Sequence, residues 1–474
     1  MKLRELIDAI IEDVYFYCDV YNKEAIFVEF TKASGATCFT KLESLDFEAM
    51  VTMRSEDITD GKQIVSVESV RKYIRSFFNY NGYPPPTDVY IRTAGDLEEG
   101  IEYDLKNDRQ QSVIVDDAGW RVSSQKVHKF ISPSLSSAQV KPKKTNQSLL
   151  DLLKPYVNLS GDSFLLFVIW LVQAFCSGNH NALLVTAERG SGKSTLSRVI
   201  RRILEPSDVE VSRFPKNEEA LLTTLSNLYL VCFDNVRDIT ESQSDILCSA
   251  ITGATSTKRS LYTNNDLYVQ KLHNTVALNG ISVFPKESDL AERFLVIELK
   301  KLTGQELKRE KDFWSSFNRT LPFILGAIFD TLSEAMKHFK QMSLSNLPRM
   351  ADAFADMMAI ALALGLSEEE FRRIYADNIA RMNKLRSETP LVEAIRELMN
   401  DFSGRRSIEG KAERIFSMVR NNYSGDKNSL PGNASHFSRK VEELHDVLFA
   451  TGFRVNVDDT SPDGTVIKII RRKK

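Results

Sequence analysis

The sequence predicts an α/β fold: a parallel sheet covered on both faces, with an α+β module before it and a helix-and-hairpin segment after it. Three observations carry this. From residue 149 to about 300, short apolar strands alternate with helical stretches, the pattern of a sheet buried on both sides. Inside that stretch, ALLV (182–185) runs through AERGSGKS into the helix-patterned TLSRVIRRIL (195–204), a strand–loop–helix unit. On either side the periodicity changes. Residues 1–130 mix short helices with alternating strands, and residues 391–474 read as helices followed by RVNVDDTSPDGTVIKIIRRKK.

The bulk numbers bound the rest. The chain has 474 residues, 42% hydrophobic and 27% charged, enough for about three domains with real cores. A net charge of −2 announces no global nucleic-acid field, so any such surface is local. Five cysteines at 18, 38, 176, 232 and 248 stand without close pairs, and six scattered histidines have no zinc-ligand spacing. A reduced, cytoplasmic compartment is the expectation. MKLRELIDAIIEDVYF, with Glu5, Asp8, Glu12 and Asp13, reads as an amphipathic helix and not a signal peptide. FLLFVIWLVQAF (164–175) is too short to span a bilayer and reads as a buried helix, so no membrane partner is expected.

In chain order, 1–131 reads as an N-terminal α+β domain. An opening helix, the alternating IFVEFTKASGATCFTKL and a helical SVESVRKYIRSFFNY precede the turn GYPPPTD (82–88); the strands VYIRT, IEYDL and SVIVDD follow. SPSLSSAQVKPKKTNQS (132–148) reads as a linker. The α/β core is assigned to 149–302. Residues 303–388 form a helical lid containing FILGAIFDTLSEAMKHF and DAFADMMAIALALG, and SETP (387–390) marks a break. Residues 389–474 have the layout of a winged helix, two or three helices and a hairpin turning at SPDG. Residues 391–474 carry 15 Lys+Arg against 12 Asp+Glu, with four of the cations ending the chain.

The loop before TLSRVIRRIL has the chemistry of a triphosphate site. Gly190 and Gly192 let backbone N–H groups turn onto phosphate oxygens, and the following helix adds its positive end. Lys193 would reach the β and γ phosphates and Ser194 would ligate Mg²⁺. Glu188, Arg189, Ser191 and Thr195 complete the phosphate-binding stretch. The entry glycine of the usual pattern is Ala187, which adds one methyl.

Downstream, LYLVCFDN (228–235) ends in Asp234, 41 residues after Lys193. An acid at the end of a buried strand beside such a loop is where Mg²⁺ finds a partner. Asn235 follows where many ATPases place a glutamate; an amide orients a water but cannot take its proton. Glu188 is a candidate base or merely an exposed loop charge. NTVALNG (274–280) ends in Asn279, which either orients the lytic water or caps a turn. Between these strands, TSTKRSLYTNNDLYVQKLH (255–273) reads as a hairpin turning at Asn264 and Asn265. Lys258, Arg259 and Lys271, with Tyr262 and Tyr268, suit nucleic-acid contact or simply decorate a surface. SDLAERFLVIEL (288–299) places Arg293 fourteen residues after Asn279, either in a salt bridge or as an arginine finger for a neighbouring subunit.

Taken together, GSGKS, CFDN, the 258–271 hairpin, LNG and ERF resemble AAA+ helicases of superfamily 3 and of the minichromosome-maintenance type. More closely, VYIRTAGD, IEYDL, DDAGW, FDNV, SLYTNND, SDLAERFLVIEL and NLPRMADAFA look like the self-loading Rep or Cch helicases of staphylococcal cassette and pathogenicity-island elements, and like related phage and plasmid ATPases. The resemblance covers roughly residues 85–390. It implies an AAA+ P-loop core with a helical lid, a homohexameric ring that hydrolyses ATP with Mg²⁺ and translocates on DNA, and hairpins in its channel. It also implies Arg349 in LPRMAD as a second sensor of ATP. Ala187 and Asn235 depart from the pattern, and no primase motif precedes the core.

The expected activity is an ATP-dependent DNA helicase that initiates or drives replication of a mobile element. Its partners would be single-stranded, forked or origin DNA, further copies of the chain, and host replication factors. Asp234, Asn235, Asn279 and Arg293 would be catalytic. NASHFSRKVEELHDVLFATG (433–452) would read DNA through Ser435, Arg439 and Lys440, or else contact protein. The rivals are an origin-binding initiator or loader that hydrolyses ATP without unwinding, and an ATPase switch.

Overall fold

A computed structural model of the chain describes residues 2–472 except 63, 134, 188–189, 237–238, 254, 260–266, 281–287, 303–308, 388, 403–405 and 460–463. At its centre lies a sheet of five parallel strands: β1 (Ala182–Thr186), β2 (Ser212–Arg213), β3 (Leu230–Asp234), β4 (Thr275–Gly280) and β5 (Phe294–Glu298), in the order β2-β3-β4-β1-β5. Strands buried on both faces read as unbroken apolar runs, and ALLV, LVCF and FLVI do so. Successive side chains then serve opposite cores. Leu183, Val185, Leu295 and Ile297 join one cluster; Ala182, Leu184, Val231, Phe233, Phe294 and Val296 join the other.

The helices that matter are α1 (Gly161–Gln173), α2 (Lys193–Leu204), α3 (Glu218–Asn227), α4 (Glu241–Thr252), α5 (Glu310–Gln341), α6 (Ala351–Ala363) and α7 (Glu368–Ser387). Helix α2 lays Leu196, Val199, Ile200 and Ile203 on the first face, together with α1, α5 and α6. Helices α3 and α4 cover the second through Leu221, Leu225, Leu247 and Ile251. The apolar run in α1 is buried core. Among the described residues no single helix is long and apolar enough to cross a membrane.

Strand β5 is one edge of the sheet. An open edge strand leaves backbone groups unpaired; here Asn378 of α7 accepts from the Val296 N–H at 3.0 Å and donates to the Val296 carbonyl at 2.6 Å.

The N-terminal region divides. Residues 3–87 build a sheet in the order Thr37–Lys41, Ile26–Thr31, Tyr15–Asp19, Pro86–Thr87, over a core of its own containing Leu6, Val28, Phe47, Val51 and Ile74. The antiparallel meander Thr93–Asp96, Gly100–Asp104, Ser112–Asp116, Gly119–Ser123 instead sends Ile101, Tyr103, Val113 and Val115 into the core shared with α1, α2 and α5. Residues 132–148, expected as a linker, hold no named helix or strand among the described residues, yet lie against that core. The last carbonyls of a helix lack intrahelical partners. At the end of α2, the Tyr103 hydroxyl donates to the Leu204 carbonyl at 2.8 Å, and the Gln139 amide donates to those of Arg202 and Ile203 at 3.1 and 2.9 Å. Lys143 N–H donates to Pro322 O of α5 at 2.8 Å.

That approach explains Gly326. A Cβ there would stand 1.9 Å from the Lys143 carbonyl oxygen. Gly326→Ala should therefore lose stability by about 1–3 kcal/mol, the range for forced overpacking, despite the better helix propensity of alanine. Chemical denaturation reads this directly; a variant at least as stable as the native chain would mean the contact is not maintained.

A second prediction concerns Asp356 of α6. Burial pushes its carboxyl up to about 8 from 3.8, and Asp96 and Asp352 add to the shift. A folded pKa above the unfolded one means stability that is full below about pH 4 and is lost as pH rises through about 8. Asp356→Asn should thus gain stability over the native chain as pH goes from 5 to 9, on the order of 2–5 kcal/mol at the upper end. Thermal unfolding of both chains across that range tests it; parallel pH profiles would contradict it.

The C-terminal unit runs helix Pro390–Asp401, strand Ser407–Lys411, helices Ala412–Asn422, Ala434–Glu443 and His445–Ala450, then strands Phe453–Asp458 and Val466–Arg471. Its three strands pair antiparallel, with Val466–Arg471 central, over a separate core. The expected helices and hairpin are joined by a strand the sequence reading did not include, Ser407–Lys411. Of the expected turn SPDG, residues 461–463 lie outside the described residues. The SETP break is a helix start: Thr389 accepts from Val392 N–H, with Pro390 in the first turn.

Candidate nucleotide site

The carboxyl ends of the parallel strands share one edge, and the expected phosphate machinery gathers there. Gly190 and Gly192 adopt φ of 80° and 84°, the left-handed region that glycine enters freely, and Gly192 caps the start of α2. Lys193 donates to the Ala187 carbonyl at 2.7 Å. The Ser194 hydroxyl donates to Asp234 Oδ2 at 2.6 Å. Two hard oxygen donors, one hydroxyl and one carboxylate, fit the protein share of a Mg²⁺–triphosphate site, where phosphates and waters supply the rest. Glu188 and Arg189, expected in this loop, lie outside the described residues.

Asn279 has a definite place. It is 1% exposed. Its Oδ1 accepts from Asn235 N–H at 3.0 Å and its Nδ2 donates to Ser197 Oγ at 3.0 Å. Because β4 lies between β1 and β3, its tip ties the loop helix to the Asp234 strand. Asn235 itself sits at φ 55°, where asparagine is favoured over glutamate; that is a local reason for the amide at this position.

Beside the loop opens a cavity of about 580 Å³, lined by Tyr156, Asn158, Gly192, Thr195, Leu302, Phe313 and Trp314 among others. Asn158 donates to the Ser191 carbonyl at 3.2 Å and also to that of Lys300. Sequence reading missed this aromatic wall, since Tyr156 and Trp314 lie far apart in the chain and neither belongs to a local motif.

Two expected residues lie elsewhere. Arg293 precedes β5, and its carbonyl accepts from Ala182 N–H at 2.8 Å, so it stands at the start of β1 while the loop follows the end. Four strand steps separate those edges by about 13 Å. Arg293 pairs with Asp289 at 2.9 Å and is 13% exposed. Arg349, which the resemblance implies as a second sensor of ATP, stands at the same far edge: it pairs with Glu292 at 2.6 Å and with Asp289. Burial works against ionisation of Asp289, but hydrogen bonds from Arg293 and Cys248 and the charges of both arginines hold its carboxyl below the usual range. Spacing in the sequence carries no record of which edge an arginine joins.

The hairpin exists as antiparallel strands Thr255–Arg259 and Leu267–Lys271, with Lys258 opposite Tyr268, Arg259 opposite Leu267, and Lys271 opposite Thr255. Asn264 and Asn265 lie outside the described residues. In the C-terminal unit, Arg439 pairs with Glu241 of α4 at 3.5 Å and Lys440 with Glu443 at 2.5 Å. The expected DNA-reading helix thus faces the core sheet's second layer at Arg439.

The model of the family of actinomycete integrative conjugative element replication proteins matches residues 150–381, the stretch that holds this site. Over that stretch the chain is similar to replication proteins of a mobile element. A solved apo structure of the NrS-1 C-terminal region aligns over 99% of each chain at 13% identity with a TM-score of 0.42. A structure of the JCV helicase with a bound small molecule aligns over 50% of this chain and 67% of its own at 14% identity, with a TM-score of 0.25. Likeness at that level establishes neither fold nor activity. No curated protein matches the chain.

Proposed function

We propose that the chain is an ATP-dependent DNA helicase serving replication of a mobile element, with an AAA+ core over 149–302, a lid over 303–388 and a C-terminal winged helix. The observation that carries the reading is the division of charged groups between two edges of one sheet. Lys193, Ser194 and Asp234 meet at the loop edge, and Arg293 and Arg349 stand at the opposite one. A subunit so built presents an acceptor site on one side and cations on the other, which suits a head-to-tail ring. The similarity to conjugative-element replication proteins over 150–381 supports the biological setting.

In this reading the triphosphate lies along Gly190–Ser194 and its base enters the aromatic cavity. Ser194 and Asp234 would hold Mg²⁺, which neutralises charge on the phosphates. Lys193 leaves the Ala187 carbonyl for the phosphates. Asn279 acts as a positioning residue, fixing Asn235 and α2. Arg293 and Arg349 belong to the neighbour's nucleotide, and Lys258, Arg259 and Lys271 follow DNA. A second reading, an origin-binding initiator or loader that does not unwind, draws on the helix-rich C-terminal unit with its antiparallel sheet.

Displacement of a labelled strand from a forked duplex with Mg-ATP separates them. Displacement supports the helicase. Hydrolysis without displacement, with specific duplex binding, transfers the assignment to the initiator; absence of nucleotide binding overturns both.

A further inference from the structure

Asn158 stands between the two segments that flank the cavity beside the loop. Its Nδ2 donates to the Ser191 carbonyl of the phosphate loop at 3.2 Å and to the Lys300 carbonyl just past β5. Both partners are carbonyl oxygens, which only accept, so the nitrogen end of the amide has to face them and both of its hydrogens are used. The acceptor Oδ1 is thereby turned to the other side. Asn158 lines the cavity, and neither Ser191 nor Lys300 does, so that other side is the cavity.

We infer that Asn158 reads the base of the nucleotide: its Oδ1 accepts from an exocyclic amino group, and so selects adenine over purines that carry a carbonyl at the same ring position. The inference rests on the nucleotide reading above and adds base identity to it. The remaining wall supplies contact area, because its polar atoms are engaged with one another. The Tyr156 hydroxyl bonds with those of Ser316 and Thr320 at 2.9 and 2.8 Å. Trp314 Nε1 donates to Glu310 at 3.4 Å. A carboxylate would suit the paired N–H donors of guanine, but Glu310 is paired with Arg198 at 3.0 Å and its side chain is 72% exposed.

The two backbone carbonyls also make the amide a one-way reader. To offer a donor to an oxo group it would have to turn over, placing its own oxygen against both carbonyls and leaving them unpaired. An oxo base therefore meets oxygen with oxygen, and the acceptor loses its partner.

Three diphosphates isolate this contact. ADP, purine riboside diphosphate and IDP carry an amino group, a hydrogen and an oxo group at one purine carbon. Their affinities for the full chain, with Mg²⁺, are measured by calorimetry. The native chain should bind ADP about tenfold tighter than the purine riboside compound and about ten- to hundredfold tighter than IDP. Asn158→Ala should bring ADP to within about twofold of the other two. Asn158→Ser, whose hydroxyl keeps one donor for the loop, should lose the preference in the same way. Thermal unfolding confirms that each variant is folded. A residue that only braces the loop behaves differently: all three ligands weaken by one factor and the preference survives, which overturns the inference. A native chain that binds IDP or the purine riboside compound as tightly as ADP also overturns it, and leaves the nucleotide reading standing. A native chain that binds none of the three defeats the nucleotide reading, and this inference with it.

Discussion

Lys193→Ala should remove ATP turnover almost completely, a fall of at least about 10²–10³-fold, while leaving the fold intact. The residue opens α2 directly after its glycine cap, and alanine is a good helix former at such a place. Its ammonium donates to the Ala187 carbonyl of the same loop, so truncation removes a local contact. On the proposed reading, what disappears is the cation that the loop would bring to the β and γ phosphates. Backbone N–H groups of the loop still attract an anion, but the charge that develops between the phosphates loses its nearest fixed counter-charge. Steady-state phosphate release and nucleotide affinity should both collapse, with the unfolding temperature within a few degrees of native. Turnover above about half the native rate would show that this loop is not where the triphosphate reacts, and the site assignment would fall with it.

Much of the core was legible because its signals are local. Strands β1, β3 and β5 are apolar runs and the helix after the loop shows its stripe, so Lys193, Ser194 and Asp234 are legible by position, and the structure sets the Ser194 hydroxyl on Asp234. Nonlocal features were not legible. Strand order is one: that β4 lies between β1 and β3 turns Asn279 into a buried tie between Asn235 and Ser197, which no spacing indicates. Residues 132–148 are another. Their polar composition suggests a free linker, but the Gln139 side-chain amide and the Lys143 backbone N–H donate to carbonyls of α2 and α5. Arg349 shows the limit most clearly. The resemblance implies a second sensor of ATP there, and nothing in the spacing indicates that Asp289 and Glu292 hold it at the strand-start edge.

Arg293→Ala should leave nucleotide affinity within about twofold of native but lower turnover by about 10³-fold or more, the scale at which a supplied arginine acts in phosphoryl transfer. The split follows from geometry. Arg293 is a strand's length from its own loop; on the proposed reading a single chain would bind ATP without it, and the charge it supplies would reach a neighbour's phosphates. Its present environment sets a condition on this. The side chain is largely buried on Asp289, so on the proposed reading assembly would have to draw the guanidinium outward. Mixing settles whether the site is shared. Lys193→Ala and Arg293→Ala chains should each be nearly inactive alone. In a randomly mixed ring, roughly a quarter of the junctions pair an intact loop with an intact arginine, and hydrolysis should reappear on mixing. An arginine serving its own subunit, or one that only braces Asp289, gives no recovery at any ratio. Because the variants carry their lesions on opposite edges of one sheet, recovery would also fix the handedness of assembly: the strand-start edge of one copy against the loop edge of the next.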